Sequence, residues 1–362
     1  MKILIVGPSL DVPGGVANYC KLMLDTLTVP SAYHTIGRRL GEAGGVASFL
    51  RMVKDACAFL RHLRRLKPDI VHLNPSLNFN ALLRDIVLLQ LSRFHIARKL
   101  VFVHGWNDRV AKKLTHPILR RFVVWGLAPA HGFIVLCAAH RDALEQLGVR
   151  SAVYVETVAV PDEAGRTSLK IDDDVIRILF LSRIEEMKGA LAVIHTHRML
   201  LKSGRKVELV IAGDGPDLDR ARRTVADEKI ANVTFAGYVV DDAKHRLLEW
   251  ASLFLFPTRY GEGLPTCVLE AMSYGLPVIT TPVGGIRDFF EDGRMGLLAH
   301  STEPEVLAAL VDRLIADPAM RRSMSAMNER YAKERFNASQ VAQRLSDVYT
   351  TLFDSGATAS SD

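Results

Sequence analysis

The sequence predicts a doubly wound α/β protein of two domains, on three observations. Short, almost continuous apolar runs alternate with amphipathic helical stretches along the whole chain. At 362 residues the chain exceeds one ordinary domain and fits two. The alternation pauses once, in the polar and small-residue stretch "TVAVPDEAGRTSLKIDDD" at 157–174. Two Rossmann-like domains, 1–165 and 166–355, are expected to face one another across a cleft. The last helix is expected to pack back on the first domain, and the small, polar residues 356–362 to form a disordered tail.

Each strand is justified by its run. In the first half these are "KILIVG", "DIVHLN", "KLVFVHG" and "GFIVLC"; in the second, "IRILFLSR", "VELVIAG", "NVTFAG", "SLFLFPT" and "PVITTP". Unbroken apolar strands separated by helices mean parallel sheets covered on both faces, whose ligands bind beyond the carboxyl ends of the strands. The opening run ends at Gly7-Pro8, so it reads as a first strand and not as a leader peptide. The longest apolar stretch, from Phe122, is interrupted by Gly126, Pro129, His131 and Gly132, so no membrane span is expected and the protein is read as cytoplasmic.

Composition is that of a soluble globular protein, 49% apolar and 24% charged. Cys20, Cys57, Cys137 and Cys267 form no C-x-x-C pair and read as packing residues. No metal-ligand spacing appears; "DDD" at 172–174 lies in the polar linker before a strand and reads as a solvated charge run. The net charge of +6 is unevenly shared. Residues 1–165 carry 21 Lys and Arg against 12 Asp and Glu, the remainder 25 against 28.

Several strand ends carry chemistry. "LFLSRIEEMKG" places Arg183 and Lys188 after a strand, which suits a diphosphate, although taken alone a surface loop paired with Glu185 or Glu186 is the better account. "VIAGDGPDLDRAR" lacks the third glycine of a dinucleotide fingerprint, so Gly213 is read as allowing a tight turn beside a ligand. In "RYGEGLPTCVLEAMSYG", Gly263 and Leu264 follow Glu262. Pro265 and Thr266 then open a helix whose exposed amides suit phosphate, and Glu270 lies one turn deeper. The plain alternative makes Glu262 a solvated loop acid and Glu270 a helix-flank charge.

Together "SRIEEMKG", "AGDGPDLDRAR", "PTRYGEGLPTCVLEAMSYGLPVITTPVGG" and "EDGRMGLLAH" resemble successive motifs of glycosyltransferase family 4, retaining enzymes of the GT-B fold. The family's paired glutamates, with seven residues between them, match Glu262 and Glu270. In the first half "GPSLDVPGGVANYC" is similar to the family's glycine loop, with Gly14 and Gly15 opening a helix, and "VFVHGW" makes His104 the counterpart of its cleft-facing histidine. The resemblance implies that Arg183 and Lys188 hold the donor diphosphate. By the same pattern Glu270 binds the ribose, Glu262 contacts the donor sugar, Gly15 brings amides to phosphate, and Gly284 and Gly285 line the same cleft. Two departures, Asp288 in place of a glutamate and no asparagine-glycine turn near the domain boundary, leave the donor sugar unnamed.

The implied reaction is transfer of a sugar from a UDP- or GDP-sugar to a hydroxyl of a glycan or lipid-linked acceptor, in bacterial polysaccharide, lipopolysaccharide or glycolipid synthesis. No metal and no cofactor is expected, and front-face attack is preferred because no nucleophile stands out. The basic helical stretches "FLRMVKDACAFLRHLRRLKP" and "RVAKKLTHPILRRFVVWG" suit peripheral contact with an anionic membrane at the inner face of the cytoplasmic membrane, or else core-facing helices with a solvated basic side. A sugar-nucleotide epimerase of GT-B fold is the alternative enzyme. Nucleic-acid binding is not expected, since interleaved aromatics and recognisable modules are absent.

Overall fold

The structure, a computed structural model, describes residues 1–12, 14–37, 39, 46–76, 78–162, 174–261 and 263–358. Two parallel sheets of six strands are formed. The first contains β1 (Ile3–Gly7), β2 (Ser31–Thr35), β3 (Ile70–Leu73), β4 (Arg98–Val103), β5 (Gly132–Val135) and β6 (Ala152–Val155) in the order β2-β1-β3-β4-β5-β6. The second contains β7 (Ile176–Leu181), β8 (Val207–Ala212), β9 (Val233–Gly237), β10 (Leu253–Phe256), β11 (Val278–Thr280) and β12 (Gly296–Leu298) in the order β12-β11-β10-β7-β8-β9.

The crossover helices of the first sheet are α1 (Gly15–Thr26), α2 (Val46–Leu66), α3 (Phe79–Leu91), α4 (Asp108–Leu114), α5 (Pro117–Leu127) and α6 (Ala138–Leu147). Those of the second are α7 (Ala190–Lys202), α8 (Leu218–Asp227), α9 (Asp241–Trp250), α10 (Thr266–Ser273) and α11 (Ile286–Phe289). The chain ends with α12 (Pro304–Ala316), α13 (Pro318–Arg335) and α14 (Ala338–Thr358). Every neighbouring strand pair is parallel, so each connection must cross over a face of the sheet, and this covering explains why the inner strands read as unbroken apolar runs. All residues of β1, β3, β5 and β10 are buried.

The nine expected strands are all present. The three that the apolar runs do not mark, β2, β6 and β12, are edge strands. An edge strand is half wetted, so "SAYHT" and "AVYV" carry mixed residues and only partial burial.

By its contacts the chain divides into two compact units. One comprises Met1–Ala159, Gly261–Leu264 and Ala338–Asp362; the other comprises Val160–Tyr260 and Pro265–Asn337. The division after Ala159 falls six residues before the expected boundary at 165, and α14 belongs to the first unit. Residues 163–173, including Asp172 and Asp173, lie outside the described residues, while Asp174 is exposed near Lys206. Helix α14 runs to Thr358, so the first three residues of the expected disordered tail are helical, because extending a helix already packed costs little. Residues 359–362 of that tail lie outside the described residues.

Within the first unit, α14 lies against α1 and β4. The buried Tyr349 hydroxyl is hydrogen-bonded to His72 Nδ1 on β3 at 2.6 Å. Burial pushes the His72 imidazole down to about 3. An imidazole whose folded value lies below its unfolded value of about 6.5 takes up a proton only on unfolding, so it destabilises the fold as pH falls through 6.5 toward 3. His72 alone is expected to steepen the loss by up to about 1.4 kcal/mol per pH unit in that window. Urea unfolding at pH 7, 6 and 5 checks this: His72→Gln should show a shallower pH slope than wild type, whatever its absolute stability.

Candidate functional site

In each sheet the strand order reverses once. In the second sheet the chain runs outward from β7 through β8 to β9, then returns to build β10, β11 and β12 on the other side. The reversal therefore falls between β7 and β10, where a doubly wound sheet opens a crevice at its carboxyl edge. Arg183 and Lys188 leave β7 at this point, and the segment ending in Pro265 and Thr266 leaves β10 beside them.

The loops at that edge are joined through backbone. Ile184 N–H donates to the Asp214 carbonyl at 2.9 Å, and Asp217 N–H returns to the Ile184 carbonyl at 3.1 Å. Gly213 sits at φ +140°, and a Cβ there would lie 1.9 Å from the Ser182 carbonyl oxygen. Its glycine is demanded by the neighbouring loop, a reason the sequence does not display. On the other side, Arg259 N–H donates to the Met187 carbonyl at 2.7 Å, and Thr258 Oγ1 to the same oxygen at 3.3 Å. Gly189, at φ +90°, lets Pro257 approach; a Cβ would stand 2.6 Å from the Pro257 carbonyl oxygen.

Between these clamps lies the 3-10 turn Glu186–Lys188. Lys188 Nζ sits 4.5 Å from the Tyr260 ring centre and 5.9 Å from that of Phe256. Arg183 is exposed and its Nε pairs with Glu185 Oε1 at 2.8 Å, the pairing that the plain surface reading anticipates. Glu186 faces Arg259 at 3.8 Å.

Pro265 occupies the N-cap of α10, Thr266 is its first residue, and Gly275 follows its end at φ +67°. Glu270, one turn in, is mostly buried and its Oε1 receives Lys244 Nζ of α9 at 2.5 Å. After β11, the Thr281 hydroxyl donates to the Thr258 carbonyl, tying the Gly284-Gly285 turn to the β10 exit. Gly284 has φ +50° and Gly285 caps α11. The structure thus brings the exits of β7, β8, β10 and β11 together. Glu262 lies outside the described residues.

In the first unit the reversal falls between β1 and β3. Gly14 and Gly15 follow β1 and open α1, with exposed backbone; a Cβ at Gly14 would meet nothing within 4 Å, so neither crowding nor a left-handed backbone requires glycine there. His104 follows β4 and is nearly buried, stacked on Phe102 at 3.9 Å and leaning on Tyr19 at 4.7 Å. Its Nε2 meets Asn74 Oδ1 at 2.9 Å. Asn74 Nδ2 donates to the carbonyls of Val6 and His72, which fixes the amide so that Oδ1 can only accept. His104 therefore carries its proton on Nε2 and presents Nδ1 as the acceptor. Burial, reinforced by nearby His72, holds its pKa well below the usual imidazole value, so the ring is neutral. Gly263 and Leu264, which group with this unit, are buried, and a Cβ at Gly263 would lie 3.1 Å from the His104 carbonyl oxygen.

Three participants are missing from the sequence reading: Tyr260 against Lys188, Lys244 against Glu270, and Asn74 against His104. Asn74 stands in the quoted run "DIVHLN" and Tyr260 in "RYGEGLP", whereas Lys244 carries no motif. Among the described residues no group of three or more His, Cys, Asp or Glu is placed to hold a metal ion.

Two doubly wound parallel units with polar loops at the reversals define the GT-B class of fold. Anabaena HepE in complex with UDP and glucose shares it at TM-score 0.74 and 17% identity, covering 97% of this chain and 100% of that one. Sucrose-phosphate synthase from Thermosynechococcus elongatus shares it at TM-score 0.78 and 18% identity, covering 98% and 100%. Residues 162–331 match the family Glycosyl transferases group 1. Alpha-D-kanosaminyltransferase of Streptomyces kanamyceticus is 25% identical over 255 residues, 67% of this chain and 66% of that protein. Phosphatidyl-myo-inositol mannosyltransferase of Mycobacterium tuberculosis is 32% identical over 186 residues, 50% and 48%. The chain thus spans about half to two thirds of the length of these curated relatives.

Two substitutions test the loop geometry. Gly213→Ala should cost upwards of ~1 kcal/mol in urea unfolding, from the carbonyl clash and the backbone angle together. Tyr260→Leu should weaken any anion held by Lys188 about three- to fivefold, the worth of an exposed cation–π contact, while Tyr260→Phe keeps the ring and the affinity; titration with pyrophosphate compares them.

Proposed function

We propose that the chain is a retaining, metal-independent glycosyltransferase. It moves a sugar from a UDP- or GDP-sugar to a hydroxyl of a glycan or lipid-linked acceptor in bacterial polysaccharide or glycolipid synthesis. The observation that carries the reading is the reversal between β7 and β10, where two cations and the start of α10 converge inside the segment that matches the family.

Departure of a nucleoside diphosphate develops negative charge. Arg183, Lys188 and the first amides of α10 stabilise it without reorganising, which is also why no metal is required. Releasing Arg183 from Glu185 costs little, because that pair is exposed. With Glu270 Oε1 held by Lys244, the ribose diol falls to Oε2, and Lys244 keeps the carboxylate aimed. Glu262 contacts the donor sugar. The neutral His104 accepts a sugar hydroxyl at Nδ1, a role an imidazolium could not fill. Among the described residues no side chain stands out as a nucleophile for a covalent intermediate, and the acceptor hydroxyl attacks from the face the diphosphate leaves.

HepE solved with UDP and glucose supports a nucleotide-sugar donor, and the phosphatidyl-myo-inositol mannosyltransferase supports a lipid-borne acceptor. The protein works in peripheral contact with anionic lipid at the inner face of the cytoplasmic membrane.

Thermal unfolding with UDP, GDP and ADP, each with EDTA, tests the reading. A nucleotide at about a hundred times its dissociation constant should add about 2.7 kcal/mol, and Glu270→Ala should lose that response. If no nucleotide stabilises the protein, the reading fails. Conversion of a nucleotide sugar without any acceptor would point to an epimerase instead.

A further inference from the structure

The two basic helical stretches part company in the structure. Helix α2 spends its apolar positions on the core of the first unit: Phe59 and Leu63 are buried, and Ala56, Leu60 and Leu66 pack against the same cluster. Only Leu50 and Val53, near its start, are exposed among its described apolar positions of any size. The side chains of Phe49 and Arg109 lie outside the described residues.

Around α5 the opposite holds. Ile118, Phe122 and Trp125 follow one another at i, i+4 and i+7, a single stripe of helix surface, and are 75%, 40% and 54% exposed. The buried side of the same helix is taken by Val123, Gly126 and Leu127. Gly126 lies so close to Ile86 of α3 that a Cβ would come within 2.7 Å. Gln90 of α3 donates to the carbonyls of Trp125 and Gly126, so the ends of the two helices adjoin. Leu91 of α3 adds to the exposed surface, and the turn that follows carries Phe94 and Ile96 at 90% and 94% exposure. A monomer rarely leaves large apolar side chains uncovered in adjoining positions.

The charge around them is predominantly positive. Residues 86–127 contain eight Lys and Arg and one acid, Asp108. Arg93, Lys112, Lys113, Arg120 and Arg121 are exposed, and the Arg93 guanidinium lies over the Phe94 ring at 5.0 Å. A second copy meeting this face in a two-fold dimer would set like charges against each other. Nucleic acid would meet the cations but leave the apolar tips wet. An anionic bilayer satisfies both: headgroups take the cations while Phe94, Ile96 and the α5 stripe enter the acyl boundary, with Trp125 at the interface.

We propose that the Phe94–Ile96 turn and the Ile118–Phe122–Trp125 stripe form the surface by which this protein inserts into an anionic lipid bilayer. This deepens the membrane contact proposed above, moves it off α2, and is independent of the transfer chemistry.

Vesicle flotation of the full chain tests it, with phosphatidylcholine alone and with phosphatidylcholine containing phosphatidylglycerol. Wild type should float with the anionic vesicles and remain below with the neutral ones. Phe94→Ser with Ile96→Ser should abolish flotation, and Lys112→Gln with Lys113→Gln should weaken partitioning about thirtyfold at low salt. Both pairs, lying at the surface, should keep the nucleotide-dependent thermal shift measured without vesicles. Failure of wild type to float, flotation of either pair like wild type, or a dimer in sedimentation that the serine pair breaks would overturn the proposal. Flotation as expected with no nucleotide response in any variant would overturn the transferase reading and leave this surface standing.

Discussion

Backbone meets backbone at the carboxyl edge of the second sheet, and the polar side chains there depend on that contact. The β7 exit runs between the β8 exit on one side and the β10 exit on the other, close enough that Gly213 and Gly189 have no room for a Cβ. Five residues of loop, Arg183 to Met187, are thereby held at both ends by main-chain hydrogen bonds to Asp214, Asp217 and Arg259. Ordering a free loop of that length would cost several kcal/mol each time a ligand bound, and here the cost is met in folding. Lys188 is further restrained by Tyr260, and Glu270 by Lys244, so one of the site's two cations and the acid of α10 are fixed before any ligand arrives.

How much of this the residues announce depends on how many faces an element buries. Inner strands such as β1, β4, β7 and β10 must be apolar on both sides, and their runs are plain in the sequence. The edge strands β2 and β6 are under no such demand, and their mixed composition hides them, while β12 is only three residues long and too short to read as a run. Helix α2 shows the converse difficulty. Its apolar stripe and basic flank fit a membrane surface and a core contact equally well, and only the packing of Phe59 and Leu63 against the first sheet decides between them. The helix bounds around Glu270 were legible because Pro265 and Gly275 are tied to helix ends by their own backbone preferences.

The motif-bearing residues were also legible as motifs, yet their surroundings were not. Lys244 is 26 residues from Glu270 in sequence and reaches it from another helix, and Asn74 is 30 residues from His104. Such pairs are created by the crossover topology, which brings strand ends together irrespective of their separation along the chain. Gly213 is instructive in another way. Its glycine is readable, and a ligand is a natural explanation, but the Ser182 carbonyl accounts for it fully.

The return of α14 to the first unit has a consequence for synthesis. His72 and Phe102 of the first sheet stack on each other, and His72 is closed over by Tyr349, so this sheet is complete only when α14 exists. Between Ala159 and Tyr349 lie 190 residues of translation. At about 5–20 residues per second the first unit waits roughly 10–40 seconds for its last helix, while the whole of the second unit is made. The unit begun first is therefore the one finished last, and α1, β3 and β4 present an uncovered apolar face to the translating cell throughout that interval.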